Sequence, residues 1–141
     1  MNIVDPIRDK DDIKAMKEYL REWNERNYLL FLFGINSGLR VGDILRIRVK
    51  DVQGWHIKIK EQKTGKQKQI KMTKTLKKEV KEYIKDMPLH YYLFQSRIGK
   101  NKPLDRRTVD WILKTAALEC GIENIGTHSM RKTFGYHYYK K

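Results

Sequence analysis

The chain has 141 residues, the size of one domain, with 40% hydrophobic and 11% aromatic residues, enough for an ordinary core without disulfide or metal staples. Its 31 Lys and Arg stand against 17 Asp and Glu, a net charge of +14 that points to a polyanionic partner, nucleic acid first. The single cysteine, Cys120, excludes an internal disulfide framework, and the longest apolar run, Tyr28 to Ile35, is far too short for a bilayer crossing.

MNIVDPIRDKDD at the N-terminus alternates charges and carries no apolar signal-peptide core. Lys10 to Trp23 is predicted helical, because Ile13, Met16, Leu20 and Trp23 recur at helical spacing and Asp9, Asp11 and Asp12 suit a first turn. Arg26 to Asn36 is a second helix, apolar nearly all round and therefore central, stopped by Ser37-Gly38. Val41 to Arg46 makes a short third helix. The period then changes to two. Trp55, Ile57 and Ile59 alternate with His56, Lys58 and Lys60, and Ile70 and Met72 alternate with Gln69 and Lys71. This is an antiparallel hairpin with an apolar and a basic face, tipped by Lys63-Thr64-Gly65-Lys66, where Gly65 can take a positive φ. Thr75 to Met87 is helical up to Pro88. Asp105 to Cys120 follows, capped by Asp105 and ended by Gly121, with Cys120 expected as a small buried apolar residue at its end. A last helix starts near Thr127 or His128 and runs to the end. The expected class is α+β, mostly helical, with one small antiparallel hairpin, in a single domain over residues 1–141.

Four features carry possible chemistry. Arg40 follows a glycine turn and opens a short helix, where a planar guanidinium can meet an anion. Lys63 sits on the hairpin tip among Lys58, Lys60, Lys66 and Lys68. His128 and Arg131 share one helix face and could offer an acid/base group and an anion clamp together. Glu61-Gln62-Lys63, with Asp51 upstream, has the E-x-K form of magnesium-dependent nucleases, a pattern that arises readily by chance in a Lys-rich chain. Read alone, each of these also fits plain surface charge. Thr64-Gly65-Lys66 is not a Walker loop, since Gln67 follows the lysine and the upstream glycine is missing. His56, His90 and His137 fit no metal spacing and read as structural or solvated, and no metal site or cofactor is expected.

Together, SGLRVGDILRIRVKDV, EQKTGKQKQI and GTHSMRKTFGYHYY resemble, in order and spacing, the three signature segments of the tyrosine recombinase (phage integrase) family. The resemblance spans nearly the whole chain. It implies a mostly helical catalytic domain that breaks and rejoins DNA through a covalent 3′-phosphotyrosine, without metal or nucleotide. By motif match, Arg40 is the first arginine, Asp43 the acid that braces it, Lys63 the hairpin lysine, His128 the histidine and Arg131 the second arginine. Two arginines would stabilise the charge gathered on the non-bridging oxygens, His128 would assist proton transfer, and Lys63 would protonate the leaving 5′-oxygen. In the family, a further His or Trp and then the nucleophilic tyrosine follow the H-x-x-R segment. The resemblance therefore implies that the domain is incomplete at its C-terminus, holds no nucleophile, and lacks the family's N-terminal DNA-clamping domain. Tyr136, Tyr138 and Tyr139 lie too close behind Arg131 and are expected as packing residues. The expected partner is double-stranded DNA and not a membrane. The expected state is a monomer in isolation, with higher-order assembly on DNA for the full-length protein, in the cytoplasm of a bacterium or as a phage product at the nucleoid. Two alternatives stay open: a non-catalytic DNA-binding regulator or recombinase remnant, and a magnesium-dependent nuclease built on Asp51, Glu61 and Lys63.

Overall fold

A computed structural model describes residues 3–139. Helix α1, Lys10–Trp23, begins where the Asp9 carboxylate accepts from the Asp11 amide at 2.8 Å, satisfying an otherwise orphan donor. It turns Met16 and Leu20 inward and keeps its charged face in solvent. After the Asn24 cap, α2, Glu25–Ser37, is buried on almost every side and packs against α1, α4 and α6. It is the axis of the core, with Phe33 meeting Phe94 edge to face at 5.7 Å. Gly38 ends α2 in the left-handed region, with φ of 67°.

The predicted third helix is shorter than expected, α3 covering Val41–Ile44. A 3-10 turn over Val49–Val52 follows, which the sequence pattern does not announce. Strands β1, His56–Lys60, and β2, Gln67–Lys71, pair antiparallel with Ile57 opposite Ile70. Directly opposed residues share a face, so Lys68 stands beside Ile59 and the apolar face gives way to a cation toward the tip. Gly65 has φ of 73°, as the tip requires. Helix α4 is Lys74–Ile84, capped by the Thr73 hydroxyl. It ends short of the expected Met87, whose amide instead closes a turn on the Ile84 carbonyl at 2.9 Å.

The segment after α4 lacks periodicity, yet its backbone is well paired. Val49 and Lys50 amides donate to the Tyr91 and Leu89 carbonyls, and the Leu93 amide donates to the Ile47 carbonyl. Helix α5, Arg106–Glu119, opens on Asp105, whose carboxylate accepts from the Thr108 amide at 2.8 Å. Cys120 caps its end, as a residue at the helix end was expected to, but it is partly and not wholly buried. Burial pushes that thiol's pKa up, with Asp12 and Glu119 adding to the shift. Helix α6, Ser129–Tyr139, completes the described chain.

The N-terminal segment before α1 is laid along α6. The Ile7 amide donates to the Thr133 hydroxyl at 2.9 Å, the His137 ring meets the Ile7 carbonyl at 2.9 Å, and Lys132 Nζ donates to the Val4 carbonyl at 2.7 Å. Of the two readings left open for His137, structural or solvated, this contact fits the structural one.

Candidate functional site

Gly38 turns the chain out of α2 and Leu39 is buried, so Arg40 emerges as the cap immediately before α3. Its backbone is extended, and its carbonyl accepts from the Asp43 and Ile44 amides at 3.0 Å each. The guanidinium is partly exposed and lies 3.6 Å from a Glu61 carboxylate oxygen.

Asp43 is buried, and its Oδ1 accepts from the Gln62 amide at 3.0 Å. Asp43, expected to brace Arg40, directs its carboxylate to the hairpin, and the ion pair of Arg40 is with Glu61. Both carboxylates therefore tie the Arg40 turn to the hairpin tip. The tip is closed by the Gly65 amide on the Glu61 carbonyl at 2.8 Å, and by the Glu61 amide on the Lys66 carbonyl at 2.9 Å. Lys63, next to the anchored Gln62, is exposed.

The turn before α6 is fixed from two sides. The Gly126 amide donates to the buried Ser129 hydroxyl at 3.0 Å, and the Thr127 amide donates to Asp110 at 3.1 Å. Met130 and Thr133 then face inward, the Thr133 hydroxyl donating to the Ser129 carbonyl. Helical geometry leaves His128 and Arg131 exposed, one turn apart. Met130 packs on Gly34 so tightly that a Cβ there would lie 2.4 Å from its sulfur, and Phe134 packs on Gly38, where a Cβ would lie 2.3 Å from the ring. Phe134 is one turn beyond Arg131, and Gly38 stands two residues before Arg40. The H-x-x-R helix is thereby seated on the turn that launches Arg40.

Two contacts, Phe134 on Gly38 and Asp43 on Gln62, thus bring the three sequence segments to the C-terminal end of α2. No bond joins His128 or Arg131 directly to Arg40 or Lys63 among the described residues. Lys63, His128 and Arg131 make no side-chain hydrogen bond or ion pair there either, which leaves an amine, an imidazole and a guanidinium available to an anion. A cleft of about 510 Å³ between the hairpin and residues 43–51 is lined by Arg46, Lys50, Lys58, Lys60 and Lys68, with Asp43 and Asp51 among them. An array of this kind attracts and orients a phosphate-bearing polymer.

The alternative carboxylate site does not assemble. Asp51 accepts from the Arg48 amide at 2.9 Å, inside the 3-10 turn, whereas Glu61 faces Arg40 and Thr64. Among the described residues no group of three or more His, Cys, Asp or Glu side chains could hold a metal ion. Tyr136 is half-buried with Arg8 over its ring at 5.8 Å, and Tyr138, though exposed, stacks on Phe134 at 5.5 Å. The side chain of Tyr139 lies outside the described residues.

The phage integrase family model matches residues 8–141. The chain is 49% identical over 142 residues to the probable integrase/recombinase YoeC of Bacillus subtilis (strain 168), covering 100% of this chain and 78% of that one. It is 26% identical to the tyrosine recombinase XerA of Pyrococcus horikoshii, covering 91% of this chain and 45% of that one. Its fold superposes on a XerA recombinase crystal structure with a TM-score of 0.80 at 21% identity, over 99% of this chain and 52% of that one. The DNA-bound lambda integrase (residues 75–356) gives 0.76 at 19% identity, over 99% of this chain and 53% of that one. The chain thus spans about half the length of XerA and of that lambda integrase chain.

Proposed function

The chain belongs to the phage integrase family, the tyrosine recombinases, which cut and rejoin DNA, and on that premise we propose that it grips a DNA phosphodiester between Arg40, Lys63, His128 and Arg131. The observation that carries this reading is the seating of α6 on Gly38, which sets the two arginine-bearing segments side by side with the hairpin tied to them through Asp43.

Each residue type suits its role. Charge gathering on the non-bridging oxygens of a five-coordinate phosphate is met by two planar guanidinium forks, each able to donate twice. That supply of positive charge lets the chemistry proceed without a metal or a nucleotide. His128 donates to a phosphate oxygen and exchanges a proton near neutral pH. Lys63, on an exposed tip next to an anchored residue, delivers a proton to the leaving 5′-oxygen. Asp43 acts through the backbone, holding Gln62 and with it the start of the tip. The nucleophile's role is assigned to no tyrosine of α6, Tyr136 lying under Arg8 and Tyr138 against Phe134.

The described residues hold no helix long and apolar enough to cross a membrane. The partner is duplex DNA, met in the cytoplasm at the nucleoid of a bacterial or phage-infected cell, by a chain that is monomeric until it assembles on DNA. Fluorescence anisotropy with a duplex oligonucleotide tests this. Affinity falls with salt at a log–log slope of about −0.9 per phosphate contacted. Arg40→Ala and Arg131→Ala each keep the circular dichroism spectrum and weaken binding. Salt-independent affinity, or binding indifferent to both substitutions, overturns the reading. A covalent adduct on a denaturing gel overturns the assignment of no nucleophile.

A further inference from the structure

Arg40 already has an anion. Glu61 lies 3.6 Å away with a side chain only 16% exposed, and it does so in a hairpin otherwise rich in lysine. Its other carboxylate oxygen accepts from the Thr64 hydroxyl at 3.0 Å, and Thr64 follows Lys63. The Thr64 hydroxyl in turn accepts from the Lys66 amide at 3.2 Å. One carboxylate therefore connects the arginine to the loop that bears the lysine.

The separation matters. A charge-assisted Arg–carboxylate bond closes to roughly 2.7–2.9 Å, so a pair at 3.6 Å is loose and open to exchange. A negative group fixed beside a phosphate seat repels the phosphate, whereas one that moves when the phosphate arrives does not. The Gln62 amide is held separately by Asp43, so the base of the loop has an anchor that does not depend on the Glu61 side chain.

We propose that Glu61 is a positioning residue that occupies the anion seat of Arg40 in the free protein, and that an arriving phosphate displaces it, releasing Thr64 and freeing the Lys63 loop to close on the phosphate. The proposal rests on the reading of Arg40 as a phosphate clamp. It assigns Glu61 a regulatory part, since the lysine loop is unlocked only when the seat is filled.

The test is an NMR titration of the 15N-labelled full chain with inorganic phosphate at low salt. Wild type, Glu61→Gln, Arg40→Ala, the Arg40→Ala/Glu61→Gln double variant and Glu123→Gln are compared. Glu123→Gln removes the same charge from an exposed position far along the chain. In wild type, the amides of residues 40–43 and 63–66 shift along one isotherm. Glu61→Gln tightens that isotherm about threefold to tenfold, the range set by removing one partly screened like charge. Glu123→Gln leaves it unchanged, and both Arg40→Ala proteins show no isotherm at residues 40–43. Equal affinity for wild type and Glu61→Gln, or a loop that does not move with residues 40–43, overturns the proposal. Absence of any phosphate isotherm in both wild type and Glu61→Gln overturns it together with the clamp. Duplex binding measured on the same samples separates the two readings: salt-independent or absent duplex affinity removes the DNA reading and leaves the phosphate result standing.

Discussion

Gly38→Ala attacks the joint on which the candidate site depends. Two costs add there. Its φ of 67° lies in the left-handed region, where a Cβ costs roughly 1–2 kcal/mol, partly offset because alanine also restricts the unfolded chain. The new Cβ would also stand 2.3, 2.7 and 2.9 Å from three ring atoms of Phe134. The ring is fixed between α2 and α6, so overpacking adds about 1–3 kcal/mol. The expected loss is about 2–4 kcal/mol, read by urea denaturation monitored by circular dichroism. Two other glycines separate the terms. Gly65→Ala, with φ of 73° and nothing within 4 Å of the Cβ, isolates the backbone cost at about 1 kcal/mol. Gly34→Ala crowds the sulfur and Cβ of Met130 at 2.4 and 2.9 Å but gains about 1 kcal/mol of helix propensity, so it falls between the two. If Gly38→Ala is no more destabilising than Gly65→Ala, the Phe134 contact is not the rigid joint described above.

Thr133→Val removes both bonds of a buried hydroxyl and strands the Ile7 amide, for an expected loss of about 1–3 kcal/mol in the same urea assay. A change under about 0.5 kcal/mol would show that the N-terminal segment is not held by it. The Asp105 carboxyl is held below the usual carboxylate range, chiefly by the Thr108 hydrogen bonds. Its capping contribution is therefore complete above the unfolded carboxylate pKa and fades as pH falls through the lower folded value. Asp105→Asn, which keeps the capping acceptor without the titration, flattens the acid limb of a stability–pH curve there, and an unchanged limb counts against the assignment. Burial pushes the Tyr83 phenol up to about 12, so ultraviolet titration at high pH shows one tyrosine ionising late.

Helix α1 was legible to the residue, because its apolar positions keep strict period and acidic residues mark its start, although Asp9 proves to be the cap and not part of the first turn. Gly38, Gly65 and Gly121 all take the positive φ that their places at turns predict. The 3-10 turn and the segment of residues 89–93 were not legible. Their bonds run between Ile47–Lys50 and Leu89–Leu93, and such pairing leaves no period in either strip. The end of α4 was overread because Met87 extends the apolar rhythm one turn past the last helical residue. In the site, residue types and order were readable and partnerships were not. Glu61 drew notice only as a possible metal ligand, since nothing local says that its carboxylate meets Arg40 across the hairpin. The Ile7–Thr133 bond, 126 residues apart in sequence, lies still further from local pattern.

That last bond bears on how the protein comes into being. Ile7 waits for Thr133 and His137, and Gly38 waits for Phe134, so segments made before α1 and after α2 are completed only once α6 has been made. Helices α1 and α2 can pair early through local contacts, but closing loops this long is slow and comes late. A nascent chain shorter than α6 would carry the basic hairpin without the helix that bears His128 and Arg131. Such a chain would lack two of the four residues of the proposed phosphate site. The order of synthesis thus delays the assembly of the proposed phosphate site until the polypeptide has been made through α6.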